Sequence, residues 1–132
     1  MPGGKIKAIC TADAPEALGP YSQAIIAGDY LYVSGQLGLD PLTGMLPDLF
    51  EEQAARAFEN LCAIVEASEL SIDQTVKLAI YLTDLSDFAA LNELMAKKFE
   101  EPFPARACVE VSALPRGAKI EVEAVVYCGG AV

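Results

Sequence analysis

Histidine is missing altogether from this 132-residue chain. The absence removes Ser-His and Cys-His nucleophile pairs, and with them any zinc site built on an imidazole ligand. The four cysteines, Cys10, Cys62, Cys108 and Cys128, stand far apart with no CxxC pair. They read as reduced thiols and give no metal signal. Phosphate loops of the GxGxxG or GxxxxGK[ST] type are missing too. Chemistry here must use carboxylate, guanidinium, hydroxyl, thiol, backbone and water, and no cofactor is expected.

Positive charge is scarce. Nine Lys and Arg face 19 Asp and Glu, a formal net charge of −10. The cations are scattered, and the one adjacent pair, Lys97-Lys98, has Glu93, Glu100 and Glu101 around it. Nucleic-acid binding needs a basic patch that displaces counterions from phosphates, so it is disfavoured. No apolar signal core follows Lys5 and Lys7. The longest uncharged stretch, residues 17–28, carries Gly and Pro and is too short for a bilayer. A cytoplasmic protein without a membrane partner is expected. With 53% hydrophobic residues, positions 1–132 read as one domain with a sizeable core.

Residues 5–10 alternate as an edge strand, guarded against aggregation by Lys5 and Lys7. A loop with Pro15, Gly19 and Pro20 follows. Residues 24–27 and 30–34 flank Gly28-Asp29 as a hairpin with a primed turn. Asp40 to Gly44 is a turn. A helix starts at Pro47 or Asp48 and ends near Glu69, with Phe50, Ala54, Ala57, Phe58, Leu61, Ile64 and Val65 along one stripe. In residues 75–82, Val76, Leu78, Ile80 and Leu82 share a face. A second helix spans about 85–100, capped by Asp84 or Ser86, and buries Phe88, Leu91, Met95 and Phe99. Two more strands lie within residues 103–126. The order implies a two-layer α+β domain, helices on one face of a mixed sheet. The other face carries charged and small residues, as an oligomer surface can.

The last segment places charges inside apolar strands: Arg106 and Glu110 in one, Glu121 and Glu123 in the other. One reading is a solvated sheet face. The other makes Arg106 a bidentate clamp for a carboxylate and Glu121 an acid/base group beside it, ionised unless burial opposes this. Cys108 shares the face of Arg106, and without histidine it reads as packing or a backbone donor rather than a nucleophile. Pro20 presents Tyr21 from a rigid turn, for packing or for a ligand. Ser34 and Gly35 close a strand with small residues, a bend or a place for a ligand to approach. Asn92 falls inside an apolar helix face and needs a partner, a nearby backbone group or a ligand.

The stretches 19–24 (GPYSQA), 34–36 (SGQ), 104–106 (PAR) and 109–124, through LP at 114–115 to IEVEA at 120–124, resemble the Rid/YjgF family in order and spacing. The similarity runs nearly end to end. It implies a chorismate-mutase-like (YjgF-like) fold, a six-stranded mixed sheet with two helices on one face, assembled as a homotrimer with active sites in clefts between subunits. It implies hydrolysis of 2-aminoacrylate, 2-iminopropanoate and 2-iminobutanoate to 2-oxo acids and ammonia. By position, Arg106 would bind the substrate carboxylate and Glu121 would orient or activate water. Tyr21, Ser34, Gly35, Asn92 and Cys108 would line the site. The resemblance also implies one alternative, a translation-inhibiting endoribonuclease; a second, a noncatalytic trimer binding 2-oxo acids, would need Arg106 alone. It further implies that Arg106 and Glu121, on strands joined by a seven-residue link and set apart in the sheet, meet between subunits.

Overall fold

The computed structural model describes residues 6–129; Lys5, the expected start of the first strand, lies outside them. Alternating runs form β1 (Ile6–Ile9), β2 (Ala24–Ala27), β3 (Tyr30–Gln36), β4 (Thr75–Leu82), β5 (Ala105–Glu110) and β6 (Ile120–Tyr127). The helices are α1 (Phe50–Ala67), between β3 and β4, and α2 (Phe88–Lys98), between β4 and β5. The sheet order is β1-β2-β3-β6-β4-β5. Among the described residues only β4 and β5 run parallel, which fits α2 as the crossover between them. The other pairs are antiparallel. The expected α+β architecture is therefore present, with β4 between the two strands that carry Arg106 and Glu121.

One face of the sheet is covered. Leu31, Val33, Leu78, Ile80, Leu82, Ile120, Val122 and Val126 are buried on it. They meet Phe58, Leu61, Ile64 and Val65 of α1 and Leu91 of α2 in one continuous core. Phe58 and Phe99 meet edge to face at 5.9 Å, an arrangement worth about 1 kcal/mol beyond its buried area. Alternation then puts Tyr32, Tyr81, Glu121, Glu123, Val125 and Tyr127 on the opposite face, which no helix or further strand among the described residues covers. Val109, on the same face of edge strand β5, is 46% exposed.

Several boundaries differ from expectation. Helix α1 begins at Phe50, not Pro47 or Asp48, because Leu49 is still extended (φ −86°, ψ 141°). The buried Gln53 side chain ties that entry down: its amide donates to Pro47 O and its oxygen accepts from Lys119 N. The helix stops at Ala67, and Glu69 turns left-handed (φ 63°). Val76 does not share the buried face of Leu78. A register shift between Thr75 and Lys77 turns Val76 out to 42% exposure and leaves Thr75 buried in its place. Before α2 comes one tight 3-10 turn, Leu85–Asp87, whose Ser86 N donates to Asp84 Oδ1. Phe99 is extended, so α2 ends before Glu100. The hairpin turn has Gly28 at φ 61°, a geometry that favours glycine.

Candidate active site

Glu121, the second residue of β6, lies on the uncovered face and lines a pocket of about 520 Å3 together with Tyr21, Ser34, Gly35 and Arg116. Its surroundings start with a bulge. Val33 pairs with Ala124 and Gln36 with Val122, so Ser34 and Gly35 together oppose the single residue Glu123. Such bulges bend a strand and re-aim its side chains. Here the bend brings the Gly35 backbone against the Glu121 carboxylate. A Cβ at position 35 would lie 2.7 Å from the Glu121 carboxyl carbon and closer still to Oε2. Only glycine leaves the space that this carboxylate fills.

Two buried amides hold the pocket walls. Gln23 accepts from Thr11 N at 2.7 Å and donates to Pro15 O at 2.8 Å and Thr11 O at 3.1 Å, fastening the 11–21 loop. Asn60 of α1 donates to Leu37 O and Leu39 O, fastening the segment after β3. Each such bond contributes about 1 kcal/mol net, and leaving its partner bare costs more. At the loop's end Tyr21 N donates to Gly19 O, a three-residue turn about Pro20 that leaves the Tyr21 ring 55% exposed. The Ser34 hydroxyl donates to Ser22 O at 2.6 Å, so it ties loop to strand.

Arg106 belongs to a second pocket, about 450 Å3, with Asn92, Met95 and Phe103. It pairs in register with Leu78, and Cys108 with Ile80, so both sit on the helix side of the sheet. A charge is tolerated there because β5 is the edge strand and α2 covers it only in part. Arg106 Nη1 donates to Asn92 Oδ1 at 2.6 Å and to Met95 Sδ at 3.5 Å. The guanidinium carbon stands 5.1 Å from the Phe88 ring centroid, a cation–π arrangement. Among the described residues Arg106 has no carboxylate partner; the one ion pair is Arg56–Asp40. Its remaining N–H donors are free for an anion. Asn92 is thus exposed rather than inside a buried face, and its partner is a side chain, not backbone. Phe88, expected in the core, is 37% exposed and serves as the plate under Arg106. Glu110 accepts from Leu85 N at 2.8 Å, fixing the turn from which α2 starts.

Electrostatics separate the two pockets. Burial, then the neighbouring Glu123 charge, pushes the Glu121 carboxyl above the usual carboxylate range; Arg106, on the other face, has no part in it. Within one chain Glu121 and Arg106 are not neighbours. Burial also pushes the Cys108 thiol up, against a smaller opposing pull from Arg106, which suits packing and not nucleophilic attack. Among the described residues no group of three or more Cys, Asp or Glu could hold a metal ion. Phe88, Met95, Gln23, Arg116 and Tyr81 escape sequence reading as site residues. Arg116 alone carried a local sign, next to Gly117 in a Pro-Arg-Gly turn; it takes φ 64° and donates to Gly44 O at 2.8 Å.

Residues 11–128 match the family model described as Endoribonuclease L-PSP. The chain belongs to the Rid/YjgF (L-PSP) family. It is 52% identical over 122 residues to the RutC family protein y4sK of Sinorhizobium fredii, covering 92% of this chain and 97% of that protein. It is 43% identical over 122 residues to the 2-iminobutanoate/2-iminopropanoate deaminase of Capra hircus, covering 92% and 89%. The crystal structure of RidA from the Antarctic bacterium Psychrobacter sp. PAMC 21119 superposes with a TM-score of 0.89 at 50% identity, covering 92% and 98%. E. coli TdcF, solved with bound serine, superposes with a TM-score of 0.86 at 38% identity, covering 92% and 98%. The family and its YjgF-like fold expected from the motifs are thereby established. No helix among the described residues is long and apolar enough to cross a membrane.

Proposed function

We propose that this Rid family chain is a cofactor-independent imine deaminase. It assembles as a homotrimer in which the Arg106 pocket of one copy faces the Glu121 pocket of the next. The observation that carries the reading is the division of labour between the pockets. One holds a guanidinium with free donors and no carboxylate partner; the other holds a carboxylate with raised proton affinity and, among the described residues, no ion-pair partner. Each is half of a site for a small 2-imino acid. The uncovered sheet face, with Tyr32, Val109 and Tyr127 exposed, supplies the surface for self-association. The names of the relatives and the serine bound to TdcF support a small amino- or imino-acid ligand.

In the proposed reaction Arg106 clamps the substrate carboxylate, which orients C2. Water attacks C2 of the iminium, the C=N electron pair moves to nitrogen, and Glu121 accepts the proton. The same carboxyl returns that proton to nitrogen; the C–N bond breaks, and loss of the hydroxyl proton leaves a 2-oxo acid and ammonium. A carboxyl with raised proton affinity suits a group that must take and return a proton near neutral pH. RNA is the weaker substrate candidate, given a net charge of −10 and no histidine. The test couples a threonine dehydratase to the full chain and traps residual imine with semicarbazide. Faster imine loss, and so less semicarbazone, is expected. A semicarbazone yield equal to that in buffer would overturn the reading.

A further inference from the structure

Beside Glu121 on the uncovered face stands a contact that the proposed reaction does not use. The Tyr81 hydroxyl donates to Glu123 Oε1 at 2.6 Å. Tyr81 is the register partner of Glu121, and Ala79 that of Glu123. The Tyr81 side chain therefore runs diagonally from the Glu121 position to Glu123, a reach that aromatic side chains span in antiparallel pairs. Glu123 and Glu121 lie two residues apart on one strand, so their carboxylates share a face. Opposite Glu123, the Ser34-Gly35 bulge offers backbone and a hydroxyl already committed to Ser22 O. Among the described residues no cation pairs with either glutamate.

We propose that Tyr81 and Glu123 are positioning residues for Glu121: Tyr81 pins the Glu123 carboxylate as a fixed second charge that makes Glu121 the proton acceptor. The inference rests on the deaminase reading for its purpose, and on the sheet geometry for its existence. Two carboxylates on one face ionise with difficulty together, and whichever accepts a fixed hydrogen bond keeps its charge. Here Glu123 holds such a bond, its Oε1 accepting from the Tyr81 hydroxyl, and Glu121 has none among the described residues. Glu123 is the charged neighbour that raises Glu121, after burial. Tyr81 is held above the usual phenol range, chiefly by its bond to Glu123, so it stays a donor throughout the working range. The other titratable or charged groups facing Glu121 are Tyr21 and Glu16 from the 11–21 loop and Arg116 from the turn before β6. Lys77 of β4 and Tyr32 of β3 lie further along the same face.

The experiment titrates the full chain, labelled with carboxyl-13C glutamate, by NMR, with Glu121→Gln to assign the resonance, and records kcat/KM against pH for 2-iminobutanoate. In Glu123→Gln the Glu121 midpoint should fall by roughly half a pH unit, the scale of one nearby unit charge in high dielectric. The acid limb of kcat/KM should move with it. Glu123→Asp, which keeps the charge, should leave the midpoint within about a fifth of a unit of wild type, on the same scale. In Tyr81→Phe, the variant to rely on if Glu123→Gln does not fold, the Glu123 carboxylate is no longer held in place, and the Glu121 midpoint should fall in the same direction by a smaller amount. An unmoved Glu121 midpoint in folded Glu123→Gln would overturn the proposal, as would a Glu121 midpoint indifferent to Tyr81→Phe. If wild type fails to hasten imine loss, the deaminase reading falls, and the carbon titrations still decide the coupling.

Discussion

Arg106 and Glu121 stand one strand apart in the same sheet, and different parts of the molecule hold them. Arg106 is held by side chains: an amide oxygen at 2.6 Å, a thioether at 3.5 Å and an aromatic face. All three partners are uncharged side chains of α2. Glu121 is held by shape, with the Gly35 backbone pressed against its carboxylate and a pocket that partly removes it from water. That treatment costs the ionised form and raises proton affinity. The guanidinium is given partners at its polar end, and the carboxylate is given none among the described residues.

The contrast can be broken most sharply by splitting the site between chains. In the proposed trimer, Arg106→Ala should lose about 10²-fold or more in kcat/KM, mainly through KM. Glu121→Gln should lose roughly 10²- to 10⁴-fold in kcat. Dissociating the two inactive variants together and reassembling them should restore turnover, because some clefts then combine an intact Arg106 with an intact Glu121. Mixed preparations as inactive as their parents would show that each chain works alone, and the pairing of pockets would be wrong. A smaller effect should follow Gly35→Ala. Its methyl takes the place of the carboxylate, so kcat should drop on the order of 10²-fold, the cost of displacing a reacting group by about an ångström. Affinity for a 2-oxo acid, read by calorimetry, should survive, since the Arg106 pocket is untouched. Loss of both together would mean that the two halves are not separable.

The smallest expected effect concerns stability. Because the Glu121 carboxyl is raised on folding, the stability tied to its neutral form is complete at low pH. It fades as pH rises through the folded-state value. Glu121→Gln removes that loss, so the variant should melt a few degrees above wild type at about pH 7 and level with it near pH 4. Calorimetry at the two pH values checks the sign. A variant less stable at neutral pH would mean that Glu121 is held by favourable contacts after all.

Much of the fold is legible locally, and the site is legible only in part. Alternation at 24–36 and 120–127, and the apolar stripe from Phe50 to Val65, are near-neighbour patterns, and they yield the order of elements. Alternation also shows that Arg106 and Cys108 share a face. It does not show which face, because that depends on the parallel pairing of β5 with β4 across 28 positions. The fate of Phe88 turns on the same fact: an apolar residue at the correct helical phase lies over an edge strand, where a guanidinium replaces the core. Val76 departs from the expected face because one bulged residue reverses the phase of everything before it. The bulge at Ser34-Gly35 hides in the same way, and only its small residues hint at it.

The strand order has a consequence for synthesis. β6 is the last strand in chain order, yet it lies between β3 and β4 and brings Glu121 with it. A nascent chain that has not yet released residues 120–127 has two unzipped half-sheets, β1-β2-β3 and β4-β5. Each shows an open edge to whatever strand is near. The ribosome must therefore deliver the chain through about residue 127 before the sheet can close. The pocket around Glu121 is absent until the moment the fold is complete.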